Sequence, residues 1–111
     1  MNTLRDRHCT PIGKGAAPLE RKHVQELLAQ VPEWQPADDG KSISRLFRFD
    51  NFHQTMAFVN ALAWIAHQED HHPDLEVGYN RCAVRYSTHA AQGLTLNDFI
   101  CAARIDALLE R

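Results

Sequence analysis

Residues 67–72, HQEDHH, place three histidines and two carboxylates in six consecutive positions, with Pro73 immediately after. Histidine exchanges protons near neutral pH, its unperturbed pKa being about 6.5, and it is also the commonest metal ligand. The stretch is open to three readings: an acid/base site, a metal site, or the solvated end of a helix. His67 and His71 are four apart on a helix, so their side chains stack on one face at its C-terminal end, where the helix dipole favours protonated imidazole. The same spacing grips zinc in the H-E-x-x-H helix, but there glutamate directly follows the first histidine. Here Gln68 follows it and Glu69 comes one place later, so the general-base geometry of that motif is lost. A fourth histidine, His89, ends the alternating stretch CAVRYSTH on the side of Ser87, Arg85 and Ala83. A hairpin folded back along the helix would let it meet the pair at the helix end.

Other candidates have plainer explanations. His67 by itself reads as a solvated residue near a helix end, and His72-Pro73 as a stop signal. Thr95 and Asp98 form a T-x-x-D capping pair, which accounts for the aspartate without chemistry. His8, His23 and His53 are unclustered and read as surface.

The elements that must position these groups belong to one small domain. A chain of 111 residues, 44% hydrophobic and 23% charged, can close one core. Twelve basic against fourteen acidic side chains leave a formal charge of −2, which gives no basic field to draw the protein onto nucleic acid or a membrane surface. A small neutral or mildly polar ligand is the easier partner. The three cysteines, Cys9, Cys82 and Cys101, are scattered and form no C-x-x-C pair, so neither a disulfide framework nor a zinc ribbon is written here. With no signal-like or bilayer-length apolar run, a cytoplasmic location is expected.

Residues 1–17 carry Pro11, Gly13 and Gly15 without periodicity and read as a flexible N-terminal arm; the folded domain spans 18–111. Val24, Leu27, Leu28 and Val31 make the stripe of a first helix ended by Pro32. Trp34 to Phe49, with Asp39-Gly40 at the turn, reads as a hairpin. Asn51 with Gln54 caps a central helix whose broad apolar face, Met56, Phe58, Val59, Leu62, Ala63, Ile65 and Ala66, runs up to the histidines. A second hairpin turns around Tyr79-Asn80, and Thr95 to Leu109 forms a third helix. The order α-β-β-α-β-β-α predicts an α+β domain, a four-stranded antiparallel sheet with three helices packed on one face.

The pattern His67, His71, His72, Pro73, Tyr79, His89, Asp98 resembles the signature of the pterin-4a-carbinolamine dehydratase family. FRFDNFHQTMAFVNALAWIAHQEDHHPDLEVGYN and YSTHAAQGLTLND look like family text throughout, so the resemblance covers about residues 18 to 110. It implies dehydration of 4a-hydroxytetrahydropterin, released by aromatic amino acid hydroxylases, to quinonoid dihydropterin, with no metal and no organic cofactor. His71 and His89 would form the acid/base pair, and His72 would bind the pterin and assist. Asp70 would orient groups or bind the pterin, and Pro73, Ser87 and Thr88 would line the pocket. His67 departs from the acidic residue often found at the first signature position, which leaves any carboxylate role there without a bearer. The family further implies a homodimer or homotetramer, with sheet edges pairing between subunits. Some bacterial proteins of this fold have lost the catalytic histidines and serve as Rubisco assembly chaperones; such a non-catalytic role, or a histidine metal site, is the alternative.

Overall fold

The central helix α2 (Phe52–Glu69) starts at the capping signal. Asn51 Oδ1 accepts the Gln54 N–H at 2.9 Å, satisfying a donor that the first helical turn leaves free, and Gln54 Oε1 reaches back to the Asp50 N–H at 3.1 Å, just before the cap. The computed structural model describes residues 3–110. It surrounds α2 with α1 (Arg21–Leu28), α3 (Leu96–Ala107) and strands β1 (Gln35–Pro36), β2 (Ile43–Arg48), β3 (Asp74–Val77) and β4 (Arg81–Tyr86). All neighbouring strands are antiparallel, in the order β1-β2-β4-β3. The expected architecture is present, and the crossover through α2 carries β3 to the far edge, so that β4 returns to the interior of the sheet.

Period-two alternation sorts the two central strands. Ile43, Arg45 and Phe47 of β2 stand opposite Tyr86, Val84 and Cys82 of β4, and all of these except Arg45 are buried against the helices. Ser44, Leu46 and Arg48 face the other side with Arg85, Ala83 and Arg81. Phe58 and Leu62 of α2 and Phe99, Ile100 and Ile105 of α3 complete the core, and Trp34 donates its indole N–H to Asp106 Oδ1 at 2.9 Å. Burying this apolar surface is the main favourable contribution to folding. Among the described residues, no helix is long and apolar enough to cross a membrane.

Three local outcomes differ from the sequence expectation. First, α2 does not carry His71. Asp70 adopts a left-handed conformation (φ 49°, ψ 45°), and the His71 N–H returns to the Ala66 carbonyl at 3.2 Å while the Asp70 N–H reaches His67. These bonds make a Schellman ending one turn before Pro73. His67 and His71 consequently do not share a helical face.

Second, β4 stops at Tyr86, and His89 opens a short 3-10 helix, His89–Ala91, instead of ending the strand. Gln92 follows in the left-handed region, and Thr88 and Gly93 close the loop as an isolated bridge, with the Thr88 N–H 2.9 Å from the Gly93 carbonyl. A Cβ on Gly93 would stand 2.8 Å from Pro18 Cβ. Gly93→Ala is therefore expected to destabilise the fold by about 1–3 kcal/mol, the usual cost of overpacking. Thermal denaturation would show this as a lowered Tm; an unchanged Tm would mean that Pro18 yields freely.

Third, the arm before Pro18 has many contacts. Leu4 is buried in the core, the Arg7 carbonyl accepts from Arg104 Nε at 2.8 Å, and the Gly15 N–H donates to Ala90 at 3.2 Å.

Candidate active site

The Asp70 turn, the start of α3 and the loop after β4 meet around a cleft of about 570 Å³. His71, His72 and His89 line it together with Asp70, Ser87 and Thr88. The two expected site segments, residues 70–72 and 87–89, are thus brought to one cavity by the crossover of α2 and the return of β4. Pro73 is half-buried and is not among the lining residues, and neither is His67, which lies exposed on α2 with its ring near Trp64.

His71 is the most constrained of the histidines. Its Nε2 lies 2.6 Å from Asp98 Oδ1, its ring stacks on Tyr86 with centroids 5.2 Å apart, and its carbonyl accepts the Tyr86 hydroxyl at 3.2 Å. Burial disfavours the charged imidazole, but the hydrogen bond and the negative charge of Asp98 outweigh it, and the pKa of His71 is raised above the usual histidine value. Burial also keeps the Tyr86 hydroxyl protonated, so that it remains a donor.

Asp98 thus does more than cap α3. Its side chain is fully buried, and its Oδ2 accepts both the Thr95 N–H at 2.9 Å and the Thr88 hydroxyl at 2.8 Å, leaving Oδ1 for His71. Thr88 Oγ1 lies 2.7 Å from Thr95 Oγ1, which donates to it, so the buried carboxylate is held by a chain of hydroxyls. The capping pair read from the sequence is real, but it concealed a carboxylate–histidine pair. Its signal was the signature position itself, since the cap alone explains the residue type.

The hydroxyl of Thr88 is committed to Asp98, and that of Ser87 donates to the Lys41 carbonyl at 2.7 Å. Their contribution at the cleft is therefore more to its shape and support than to free donors. His72 and His89 are exposed at the cleft. The two non-glycine residues with left-handed backbone among those described, Asp70 and Gln92, flank the histidine-bearing turns. Such conformations cost free energy and gather where a site needs side chains aimed against local preference. Among the described residues, no group of three or more His, Cys, Asp or Glu side chains is arranged to hold a metal ion.

Sequence comparison matches residues 17–108 to the family described as pterin 4 alpha carbinolamine dehydratase. The chain belongs to this family. A Nitrosomonas eutropha protein is 57% identical over 96% of this chain and 93% of its own length. One from Chromobacterium violaceum is 55% identical over 100% of this chain and 99% of its own length. Both bear the name "Putative pterin-4-alpha-carbinolamine dehydratase". Among solved structures, a transcriptional coactivator/pterin dehydratase from Brucella melitensis superposes with a TM-score of 0.80 at 31% identity, over 84% of this chain and 99% of its own. A pterin dehydratase-like protein described as a RuBisCO assembly factor in the alpha-carboxysome gives 0.60 at 25% identity, over 68% of this chain and 88% of its own. Membership of the pterin carbinolamine dehydratases supports a dehydratase, while the second structure shows the same fold in a protein described as an assembly factor.

Proposed function

We propose that this family member dehydrates 4a-hydroxytetrahydropterin to quinonoid dihydropterin by histidine acid/base catalysis. The observation that carries the reading is the buried Asp98–His71 pair at 2.6 Å, opening on a cleft that His72 and His89 also line. The reaction breaks the C4a–O bond and removes the N5 proton, so that an N5=C4a double bond forms and water leaves. It needs an acid at the departing hydroxyl and a base at N5.

His71 is the acid. Asp98 holds its Nε2, the raised pKa favours the imidazolium, and Nδ1 is the nitrogen left to protonate the hydroxyl. His89 is the base, exposed so that the proton it takes can pass to solvent. His72 and Asp70 bind the pterin, whose amide edge offers both donors and acceptors to such groups. The physiological role is recycling of the tetrahydropterin, tetrahydrobiopterin where that is the pterin in use, for aromatic amino acid hydroxylases in the cytoplasm. Strand β3 ends the sheet with Leu75 and Val77 exposed, an edge at which a second copy would pair to give a homodimer or, with helix contacts, a tetramer. Retention of His71, His72 and His89 favours the enzyme over a purely assembly-factor role.

The test is a stopped-flow assay of 4a-hydroxytetrahydropterin dehydration with chelator present. Acceleration over the spontaneous rate that disappears in the His71→Ala, His89→Ala double variant is expected, and no acceleration would overturn the proposal. In the same assay His72→Ala should raise KM with a smaller change in kcat. The reverse pattern would reassign His72 to proton transfer.

A further inference from the structure

The cleft has a wall that the histidine signature does not include. Cys9, Thr10, Pro11 and Ile12 line it, although they lie outside the region matched to the family. Two buried polar side chains fix this piece of arm. Glu69 accepts the Cys9 N–H at 2.7 Å through Oε1 and lies 2.9 Å from His8 Nδ1 through Oε2. Asn97 both accepts the Thr10 N–H at 3.1 Å and donates to the Thr10 carbonyl at 2.7 Å. Beyond the cleft, the Gly15 N–H bonds to Ala90, next to His89.

The position of these anchors is informative. Glu69 immediately precedes the Asp70-His71-His72 turn, and Asn97 immediately precedes Asp98. Burying a carboxylate and an amide is costly unless their bonds are satisfied, and here satisfaction comes from the arm, through its backbone at Cys9 and Thr10 and through the His8 ring. The arm is consequently held at a fixed distance from the same two turns that carry the Asp98–His71 pair. Chemically, it also differs from the facing wall. Asp70, His72 and His89 are polar, whereas Pro11 and Ile12, which also line the cavity, have hydrocarbon side chains.

We propose that residues 9–12 form a substrate-binding wall, on which Pro11 and Ile12 pack against a face of the flat pterin ring, with Glu69 and Asn97 as positioning residues. This rests on the pterin reading above and adds to it a determinant of affinity in the arm. Proline and isoleucine suit a ring face because they bury carbon without competing for the hydrogen bonds at the ring edge.

The experiment measures both the Kd for 7,8-dihydrobiopterin, a pterin that cannot be dehydrated, and the steady-state constants, in the full-length chain. Ile12→Ala and Glu69→Ala are each expected to raise Kd and KM about tenfold, the scale on which a hydrophobic pocket senses lost carbon atoms. The change in kcat should stay within about threefold, because the proton-transfer groups are untouched. Glu69→Gln, which keeps an oxygen for the Cys9 N–H, should recover most of the loss. Ile12→Ala leaves the buried anchors intact, so it decides the matter if Glu69→Ala does not fold. Unchanged Kd and KM in Ile12→Ala would overturn the wall. An inactive wild type would instead overturn the dehydratase reading, and Kd alone would then decide whether the arm binds a pterin.

Discussion

Replacing His71 by glutamine is expected to lower kcat by about 10²–10⁴, the range that positioned acid/base groups contribute. Folding should change little, because the glutamine amide can still donate to Asp98 Oδ1, the bond that His71 Nε2 makes at 2.6 Å. His71→Ala should lose as much activity and in addition destabilise the protein by about 1–3 kcal/mol, since it leaves a buried carboxylate oxygen unpaired. The contrast separates the chemical role from the structural one. Stopped-flow turnover and thermal denaturation of both variants provide the check. A glutamine variant that keeps kcat within about tenfold of wild type would remove His71 from proton transfer. His89→Ala serves as the companion, because this exposed residue closes no buried network and its loss should appear in kcat alone.

Such a site was only partly legible in the sequence, and the division follows the range of the interactions. The start of α2 depends on Asn51 and Gln54, which act within one turn, and alternation over β2 and β4 depends only on which face is buried. Both could be read locally. The order of the strands could not, because two hairpins specify their own pairings but not which of their edges meet. Pro73 suggested that α2 continued to its limit, whereas the helix ends at the left-handed Asp70. Aspartate tolerates that conformation but does not announce it as glycine would. The residues 9–12 were missed for a different reason. Their contacts are backbone groups meeting Glu69 and Asn97 some 60 to 90 positions away, and such contacts leave no periodicity.

Asp98→Asn should test the pair from its buried side, because an amide cannot replace the carboxylate without changing the histidine. Oδ2 accepts from the Thr95 N–H and the Thr88 hydroxyl, so the amide oxygen must take that place. Its NH₂ then faces His71 Nε2, which has to accept, and the imidazolium is disfavoured by both the lost charge and the misplaced proton. In the wild type Asp98 overcomes the effect of burial and raises the His71 pKa; in the variant burial remains without that carboxylate and the pKa falls. If His71 acts as the acid, the alkaline limb of the kcat profile should move to lower pH, with kcat at neutral pH reduced on the order of 10²–10⁴. Stability should show the same sign. A raised pKa contributes stability that is fully present below the unfolded histidine value of about 6.5 and is lost as pH rises through the folded value. The Tm deficit of the variant should therefore be larger at about pH 6 than at about pH 9. An alkaline limb that stays in place while Tm falls equally at both pH values would mean that Asp98 caps α3 and supports the fold but does not set the charge of His71.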